Sequence, residues 1–214
     1  MTHLTEQAVT VTPAPQVKLA PTDQPRHCVG IVGGTFNPVH NGHLVMADQV
    51  MQQLKLERVL FIPDANPPHV DHKTAISAKD RAAMVALAIQ HHPGFELDTL
   101  EIARGGKSYT YDTLVELKRR HPENDYFLIL GADMIAYLPK WYRIADLAKL
   151  VTFVGVRRPG FPVKSKYPVI WVDAPQLATS STQLRQLVAQ GRSIRYLVPD
   201  AVASYIKEKG LYHA

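Results

Sequence analysis

Residues 28–44 read CVGIVGGTFNPVHNGHL, and this stretch decides the fold class of the chain. Cys28 to Val32 is a short apolar run, which predicts a buried β-strand, and Gly33-Gly34 predicts a tight turn directly after it. From His43 to Leu54 the apolar side chains recur at helical spacing, so we expect a helix there. A strand, a glycine turn and a helix in this order are typical of the first half of a β-α-β unit.

The rest of the chain continues this alternation of strands and helices. The strand runs are apolar without interruption, which indicates that both faces of the sheet are covered, and the helices between them imply right-handed crossovers. The fold class that we expect is therefore α/β, a Rossmann-like, doubly wound and mostly parallel sheet that binds ligands beyond the carboxyl ends of its strands. The predicted strands are 58–62, 95–100, 126–130, 150–156 and 169–172, and the predicted helices are 79–91, 110–120, 181–189 and 200–209.

Composition limits the other properties of the protein. The chain has 214 residues, 46% of them hydrophobic, and we expect one domain at 26–214 after a disordered, proline-bearing tail at 1–25. The longest apolar run, Ala82 to Ile89, is far shorter than the ~20 residues that a membrane helix needs, and residues 1–25 do not have the pattern of a secretory signal. Cys28 is the one cysteine, so we expect a cytoplasmic protein without a disulfide framework or thiolate metal site.

The charge of the chain favours small anionic partners. Lys and Arg number 24 against 19 Asp and Glu, which gives a net charge of +5. A mildly basic protein attracts phosphates. No block of five or six like charges and no interleaving of aromatic with basic residues occurs, so we do not expect nucleic acid as a partner. A homo-oligomer is compatible with the sequence, which does not fix the oligomeric state.

The segment after the first strand has the features of an anion site. Gly33 and Gly34 allow backbone N–H groups to approach a ligand closely, and the helix that begins near Gly42 directs its free N–H groups into the same space. His40 and His43 lie about one helical turn apart, so both rings can face one anion. Neither a dinucleotide-binding glycine pattern nor a Walker loop is present.

A second candidate anion site lies near the other end of the chain, at residues 179–185, which read TSSTQLR. Hydroxyl side chains before a helix are good N-caps, and capping alone would account for them. In the functional interpretation, the helix N-terminus, the hydroxyl groups and Arg185 together hold a phosphate.

These segments resemble a known enzyme family. Residues 34–43, with their H-x-G-H ending, resemble the first signature of the nucleotidyltransferase superfamily, and residues 179–185 resemble its second, I-S-S-T-x-I-R. Further segments in the same order resemble the bacterial nicotinate mononucleotide adenylyltransferases, over residues 28–212. These segments are NPPH at 66–69, SYTYDTL at 108–114, GAD at 131–133, WY at 141–142 and RRPG at 157–160.

The resemblance implies adenylyl transfer from ATP to nicotinate mononucleotide in NAD biosynthesis, with release of pyrophosphate. It implies that His40 and His43 stabilise charge on the α-phosphate and that Mg²⁺ arrives with ATP, without a metal site of the protein's own. Tyr109, Thr110 and Trp141 would bind the pyridine substrate together with His69. The remaining ATP-binding residues that it implies are Gly33, Gly34, Thr35, Phe36, Asp133, Ser181, Thr182 and Arg185.

Three questions stay open at this stage. The family often has a basic residue where this chain has Val70, and His72 or Lys73 could supply that charge instead. Residues 63–76 form a proline-bearing loop that is a candidate lid. The alternative functions are transfer to another phosphorylated acceptor, namely nicotinamide mononucleotide or phosphopantetheine, and a nucleotide sensor without catalysis.

Overall fold

The computed structural model describes residues 26–66 and 75–213. These ranges contain six strands and eight α-helices, which follow one another in the alternating order expected from the sequence. The strands are β1 (His27–Gly34), β2 (Arg58–Pro63), β3 (Phe95–Leu97), β4 (Asn124–Gly131), β5 (Val151–Val156) and β6 (Val169–Val172). The helices are α1 (Asn41–Leu54), α2 (Ala78–Ile89), α3 (Leu100–Arg104), α4 (Thr110–Arg120), α5 (Ala132–Tyr137), α6 (Ile144–Leu150), α7 (Ser181–Ala189) and α8 (Asp200–Glu208).

The six strands form one sheet in the order β3-β2-β1-β4-β5-β6, and every neighbouring pair is parallel. The chain winds outward from β1 to β3, then returns to the centre and winds the other way from β4 to β6. The winding direction therefore reverses between β1 and β4, and a crevice opens beyond the carboxyl ends of these two strands. This confirms the predicted α/β fold class and locates the candidate site.

Helices cover both faces of the sheet because each face carries its own apolar cluster. On one face α1, α2, α7 and α8 supply side chains such as Val50, Met84 and Leu184. On the other face α3, α4, α5 and α6 supply side chains such as Leu114, Ile135 and Leu147. Burial of both clusters is the main driving force that holds the three layers together.

Several predicted boundaries need correction. Gly33 and Gly34 do not form a turn: they are the last residues of β1, and Gly34 pairs with Pro63 because the parallel ladder with β2 continues to that point. The strand expected at 95–100 ends at Leu97, since the Asp98 carboxylate accepts the Leu100 N–H at 2.8 Å and α3 begins. Helix α1 begins at Asn41, next to Gly42 as expected.

Two further expectations from the sequence, the disordered tail and the candidate lid, concern residues that the structure does not describe or describes only in part. The tail at 1–25 and residues 67–74 of the candidate lid, which include His69, Val70, His72 and Lys73, lie outside the described residues. The helices between Asn41 and Glu208 are each too short or too polar for a bilayer-spanning segment, as far as the chain is described.

Candidate active site

The loop between β1 and α1, residues 35–40, forms the centre of the candidate site, and its backbone is fixed on the side of β2 by Arg81. This arginine of α2 is 1% exposed. Its guanidinium donates to the Thr35 carbonyl at 2.7 Å, to the Asp64 carboxylate at 3.0 Å and to the Asp64 carbonyl at 2.7 Å. The Thr35 hydroxyl also donates to Asp64 at 2.8 Å. Removing one member of such a buried pair costs about 3–5 kcal/mol, so this clamp is an essential part of the fold.

On the opposite side, α7 fixes the same loop. The Arg185 guanidinium donates to the Asn37 carbonyl at 2.8 Å, and the Ser181 hydroxyl donates to the Pro38 carbonyl at 2.8 Å. Arg185 also donates to the Thr182 hydroxyl at 3.3 Å. The two candidate anion sites, far apart in the sequence, therefore meet at one loop. Arg185 and Thr182 support that loop in this state and do not line the cavities described below.

The histidine pair lies where the loop enters α1. His40 occupies the N-cap position, and its backbone N–H donates to Nδ1 of His43 at 3.2 Å. An acceptor Nδ1 places the proton of a neutral His43 on Nε2. The two rings stack with their centroids 3.7 Å apart, and a Cβ on Gly42 would lie 3.0 Å from the His40 ring. The absence of a side chain at position 42 therefore leaves the space that the His40 ring occupies.

Burial keeps both imidazoles neutral. It lowers the pKa of His40 to about 4, with a further contribution from the positive charge of Arg158, and it lowers the pKa of His43 to about 3, with a contribution from His40. Nδ1 of His40 is buried and has no hydrogen-bond partner among the residues at 26–66 and 75–213. A neutral imidazole still has one N–H group that it can donate to an anion, so it does not need to take up a second proton.

Two cavities open beyond the carboxyl ends of β1 and β4. The β2-side cavity, of about 410 Å³, has a largely apolar lining with the aromatic rings of Tyr109, Trp141 and Tyr142 and the first residue of α4, Thr110. Nε1 of Trp141 is buried and has no partner within the described ranges. Both the size and the lining, apolar with a few polar groups, are typical of a small-molecule site.

The β5-side cavity, of about 340 Å³, is more polar. It is lined by His40, His43, Asp133 and Arg158, and by residues 179–181 before and at the start of α7. The side chain of Ser180 accepts the Gln183 N–H at 3.2 Å, so this serine caps α7, as the structural interpretation of the segment predicted.

Gly33 belongs to the lining of both cavities. A Cβ on Gly33 would meet nothing closer than the Ile62 carbonyl oxygen at 4.0 Å, and on Gly34 nothing closer than the Phe36 ring at 3.7 Å. The fold therefore leaves room for side chains at both positions. The absence of a side chain at Gly33 leaves an opening in the lining of both cavities at this position.

Sequence reasoning missed four residues of this site. Arg81 and Asp64 form the clamp, and Arg158 lies in the β5-side cavity. Glu101 lines the β2-side cavity, where burial raises its pKa and the Thr113 hydroxyl donates to it at 2.6 Å. One signal was available for Arg81, since it lies on the same helical stripe as Met84, Val85 and Ile89, which are all buried. A charged residue at such a position needs a buried partner.

The fold and the site define a class: an α/β protein that binds nucleotides where the winding of a parallel sheet reverses. Comparison with known proteins agrees, because the cytidylyltransferase-like family model matches residues 31–187. A probable nicotinate-nucleotide adenylyltransferase of Lactiplantibacillus plantarum is 60% identical over 88% of this chain and 89% of its own length. Another, of Enterococcus faecalis, is 56% identical over 88% of this chain and 86% of its own length.

Solved structures agree at the level of the fold. The nicotinic acid mononucleotide adenylyltransferase of Plasmodium falciparum, in a complex with NaAD, superimposes with a TM-score of 0.75 at 19% identity, over 87% of this chain and 98% of that one. The chain therefore belongs to the cytidylyltransferase-like family and, within it, to the family of nicotinate-nucleotide adenylyltransferases. The family resemblance stated from the sequence motifs is confirmed.

Substitution of Gly33 by alanine tests whether this position is reserved for ligands. We expect Gly33→Ala to leave the free energy of unfolding within about 0.5 kcal/mol of the original, because its Cβ meets no close neighbour. Nucleotide affinity, measured by calorimetry, should fall because the methyl group enters the lining of both cavities.

The matched control for this prediction is Gly30→Ala in the same strand. Its Cβ would lie 2.9 Å from Val59, so we expect a loss of stability of about 1–3 kcal/mol from overpacking. Similar stability losses for the two variants, or unchanged nucleotide binding in Gly33→Ala, would contradict the assignment.

Stability should depend on pH through the buried histidines. Their pKa values in the folded protein, about 4 and 3, lie below the value of ~6.5 for an unfolded chain, so the unfolded chain binds more protons between these limits. Stability is therefore lost as the pH falls from about 6.5 to 4. His43→Asn, measured by urea unfolding at pH 7.5 and 4.5, should reduce this loss by about 1–2 kcal/mol. His91→Asn, at an exposed position, should leave this loss of stability unchanged. If the two variants lose the same stability between pH 7.5 and 4.5, the buried His43 is not its source.

Proposed function

We propose that this protein transfers the adenylyl group of ATP to nicotinate mononucleotide, giving nicotinate adenine dinucleotide and pyrophosphate in NAD biosynthesis. The observation that carries the proposal is the pair of cavities that share Gly33: one is apolar and aromatic, the other is polar and bordered by two imidazoles and the start of α7. A flat pyridine ring suits the first cavity and a triphosphate suits the second. The names of the relatives support the same reaction.

In this proposal the ATP phosphates occupy the β5-side cavity. The α-phosphate lies against His40 and His43, whose ring N–H groups stabilise the charge that develops in the transition state. The N–H groups of Thr35 and Phe36 assist, since among the residues described neither donates to another backbone carbonyl. Ser181 at the edge of this cavity holds the β- and γ-phosphates. Thr182 and Arg185, one and four residues further along α7, join it by exchanging their present contacts for phosphate oxygens. Gly34, which lines the β2-side cavity, lets the chain approach the reacting phosphates from that side.

The adenosine part of ATP lies near Asp133, which lines the β5-side cavity at the start of α5. Its carboxylate accepts a ribose hydroxyl. Mg²⁺ arrives with ATP, held by phosphate oxygens and water, as this ion prefers. Among residues 26–66 and 75–213, no group of three or more His, Cys, Asp or Glu side chains could hold a metal. We place the reaction in the cytoplasm.

The pyridine substrate lies in the β2-side cavity. The ring stacks on Trp141, and the carboxylate of nicotinate accepts N–H groups from the first turn of α4, at Tyr109 and Thr110. His69, which lies outside the described residues, binds the acceptor phosphate in this proposal. Nicotinamide, which is neutral, gains less from the positive end of a helix, so the site favours the acid.

The chemistry requires alignment more than it requires a base. A phosphate monoester is largely a dianion near neutral pH, so it attacks the α-phosphorus directly and pyrophosphate leaves on the opposite side, without a covalent intermediate. Two anions must approach each other, and the opening at Gly33 together with the imidazole N–H groups makes that approach feasible.

The experiment that tests this function compares acceptors. Purified protein is incubated with ATP, Mg²⁺ and one of nicotinate mononucleotide, nicotinamide mononucleotide or phosphopantetheine, and released pyrophosphate is measured. We expect the highest kcat/KM with nicotinate mononucleotide. Preference for another acceptor would replace the substrate assignment, and no pyrophosphate with any of them would indicate binding without catalysis.

The imidazole of His43 should contribute to turnover. We expect His43→Ala to lower kcat by about 10²-fold, as for the loss of one preorganised donor to a developing negative charge. The KM for ATP should change much less, and circular dichroism should confirm that the variant is folded. A folded variant with turnover near that of the original protein would remove His43 from the mechanism.

Trp141 should affect one substrate only. We expect Trp141→Ala to raise the KM for nicotinate mononucleotide by about 10-fold, since about 1.4 kcal/mol of ring contact is lost. The KM for ATP, which binds in the other cavity, serves as the internal control and should change by less than about 3-fold, or less than about 0.7 kcal/mol. Equal increases for both substrates would show that Trp141 has a structural role.

A further inference from the structure

The last turn of the chain comes back to the catalytic loop. After α8 the chain reverses, with the Leu211 N–H donating to the Ile206 carbonyl at 2.9 Å. This reversal directs Tyr212 towards the loop at residues 35–40, and its hydroxyl donates to the Asn37 side-chain oxygen at 2.8 Å. Asn37 is 4% exposed and lies three residues before His40.

Tyr212 lies near both of the arginines that fix this loop, Arg81 and Arg185. Burial raises the pKa of the Tyr212 hydroxyl, the positive charges of Arg185 and Arg81 partly oppose this, and the Asp80 carboxylate adds to it. The hydroxyl therefore stays protonated and remains a donor throughout the neutral pH range. Asn37 is held twice, by Arg185 at its backbone carbonyl and by Tyr212 at its side chain.

We propose that Tyr212 is a positioning residue for adenylyl transfer, which sets the placement of the catalytic loop through its hydrogen bond to Asn37. This inference rests on the proposed function. Tyr212 touches neither cavity and acts only through the loop that leads to His40. A small displacement of that loop moves the imidazoles relative to the α-phosphate, and displacements of about 1 Å reduce rates strongly.

Tyr212→Phe removes the hydroxyl and keeps the ring, and the chain offers a matched control. The hydroxyl of Tyr205 donates to the Asp80 carboxylate at 2.8 Å, and this bond joins α8 to α2 without involving a residue of the loop at 35–40. We expect Tyr212→Phe to lower kcat by about 5- to 10-fold, with KM values within about 2-fold, whereas Tyr205→Phe keeps kcat within about 2-fold. Equal kcat values for the two variants would overturn the proposal.

A double-mutant cycle identifies the route of the effect. If Tyr212 acts through Asn37, Tyr212→Phe has no further effect on kcat in an Asn37→Ala background. Fold-changes that multiply in the double variant would show that the tyrosine acts elsewhere, which would also overturn the proposal.

A second readout keeps the inference separate from the proposed function. Hydrogen exchange at the backbone amides of residues 35–37, 39 and 40 should be faster in Tyr212→Phe than in Tyr205→Phe or the original protein, whichever reaction the protein catalyses. If the original protein makes no dinucleotide from nicotinate mononucleotide, the proposed function fails and this exchange difference still tests the positioning role. Unchanged exchange in Tyr212→Phe would reject that role.

Discussion

The backbone carbonyls of the loop between β1 and α1 are held from outside by side-chain donors, and the candidate site depends on this arrangement. Arg81 binds the carbonyl of Thr35, Arg185 that of Asn37, and Ser181 that of Pro38. In the Thr35–Phe36 and Pro38–Val39 peptide groups, the fixed carbonyl also fixes the direction of the N–H group. The Asn37–Pro38 peptide group has no N–H, so Arg185 fixes only the path of the backbone there. An anion site built from backbone N–H groups needs such fixed directions, because free loops lose conformational entropy when they bind.

The donors come from distant parts of the chain, so the site forms only when the whole fold is assembled. Arg81 belongs to α2 and Arg185 to α7, which pack on the same face of the sheet. The Asp64 carboxylate neutralises the Arg81 charge and also accepts the Thr35 hydroxyl, so one buried pair joins the loops after β1 and β2. Loss of Arg185 would remove a donor from the Asn37 carbonyl, and loss of Arg81 would leave the buried Asp64 carboxylate without its arginine, both of which are costly.

Local sequence patterns predicted the framework of this protein well. Uninterrupted apolar runs gave β1, β2, β4, β5 and β6, and amphipathic spacing gave α1, α2, α4, α7 and α8, because these features are local and periodic. Helices α3, α5 and α6 were not predicted, since at five to seven residues they are too short for a clear period. Gly33 and Gly34 were placed in a turn because glycine usually breaks strands, whereas here the pairing with β2 outweighs that tendency.

The motifs indicated which residues line the two cavities, but not what holds those residues in place. His40, His43, Tyr109, Trp141 and Asp133 line the cavities, and they were recognised from the local strings that contain them. The helical stripe of α2 marks Arg81 as buried and in need of a partner, but the partners of Arg81 and Tyr212 lie far away in the chain, so no local pattern could identify them.

The most direct test of this account is a crystal structure with a non-hydrolysable ATP analogue bound. The account predicts that the triphosphate lies between the N-termini of α1 and α7. The α-phosphate oxygens should lie within ~3.2 Å of Nε2 of His43 and of an N–H group of the loop at 35–40. A triphosphate held elsewhere, with both imidazoles beyond hydrogen-bond reach, would contradict it.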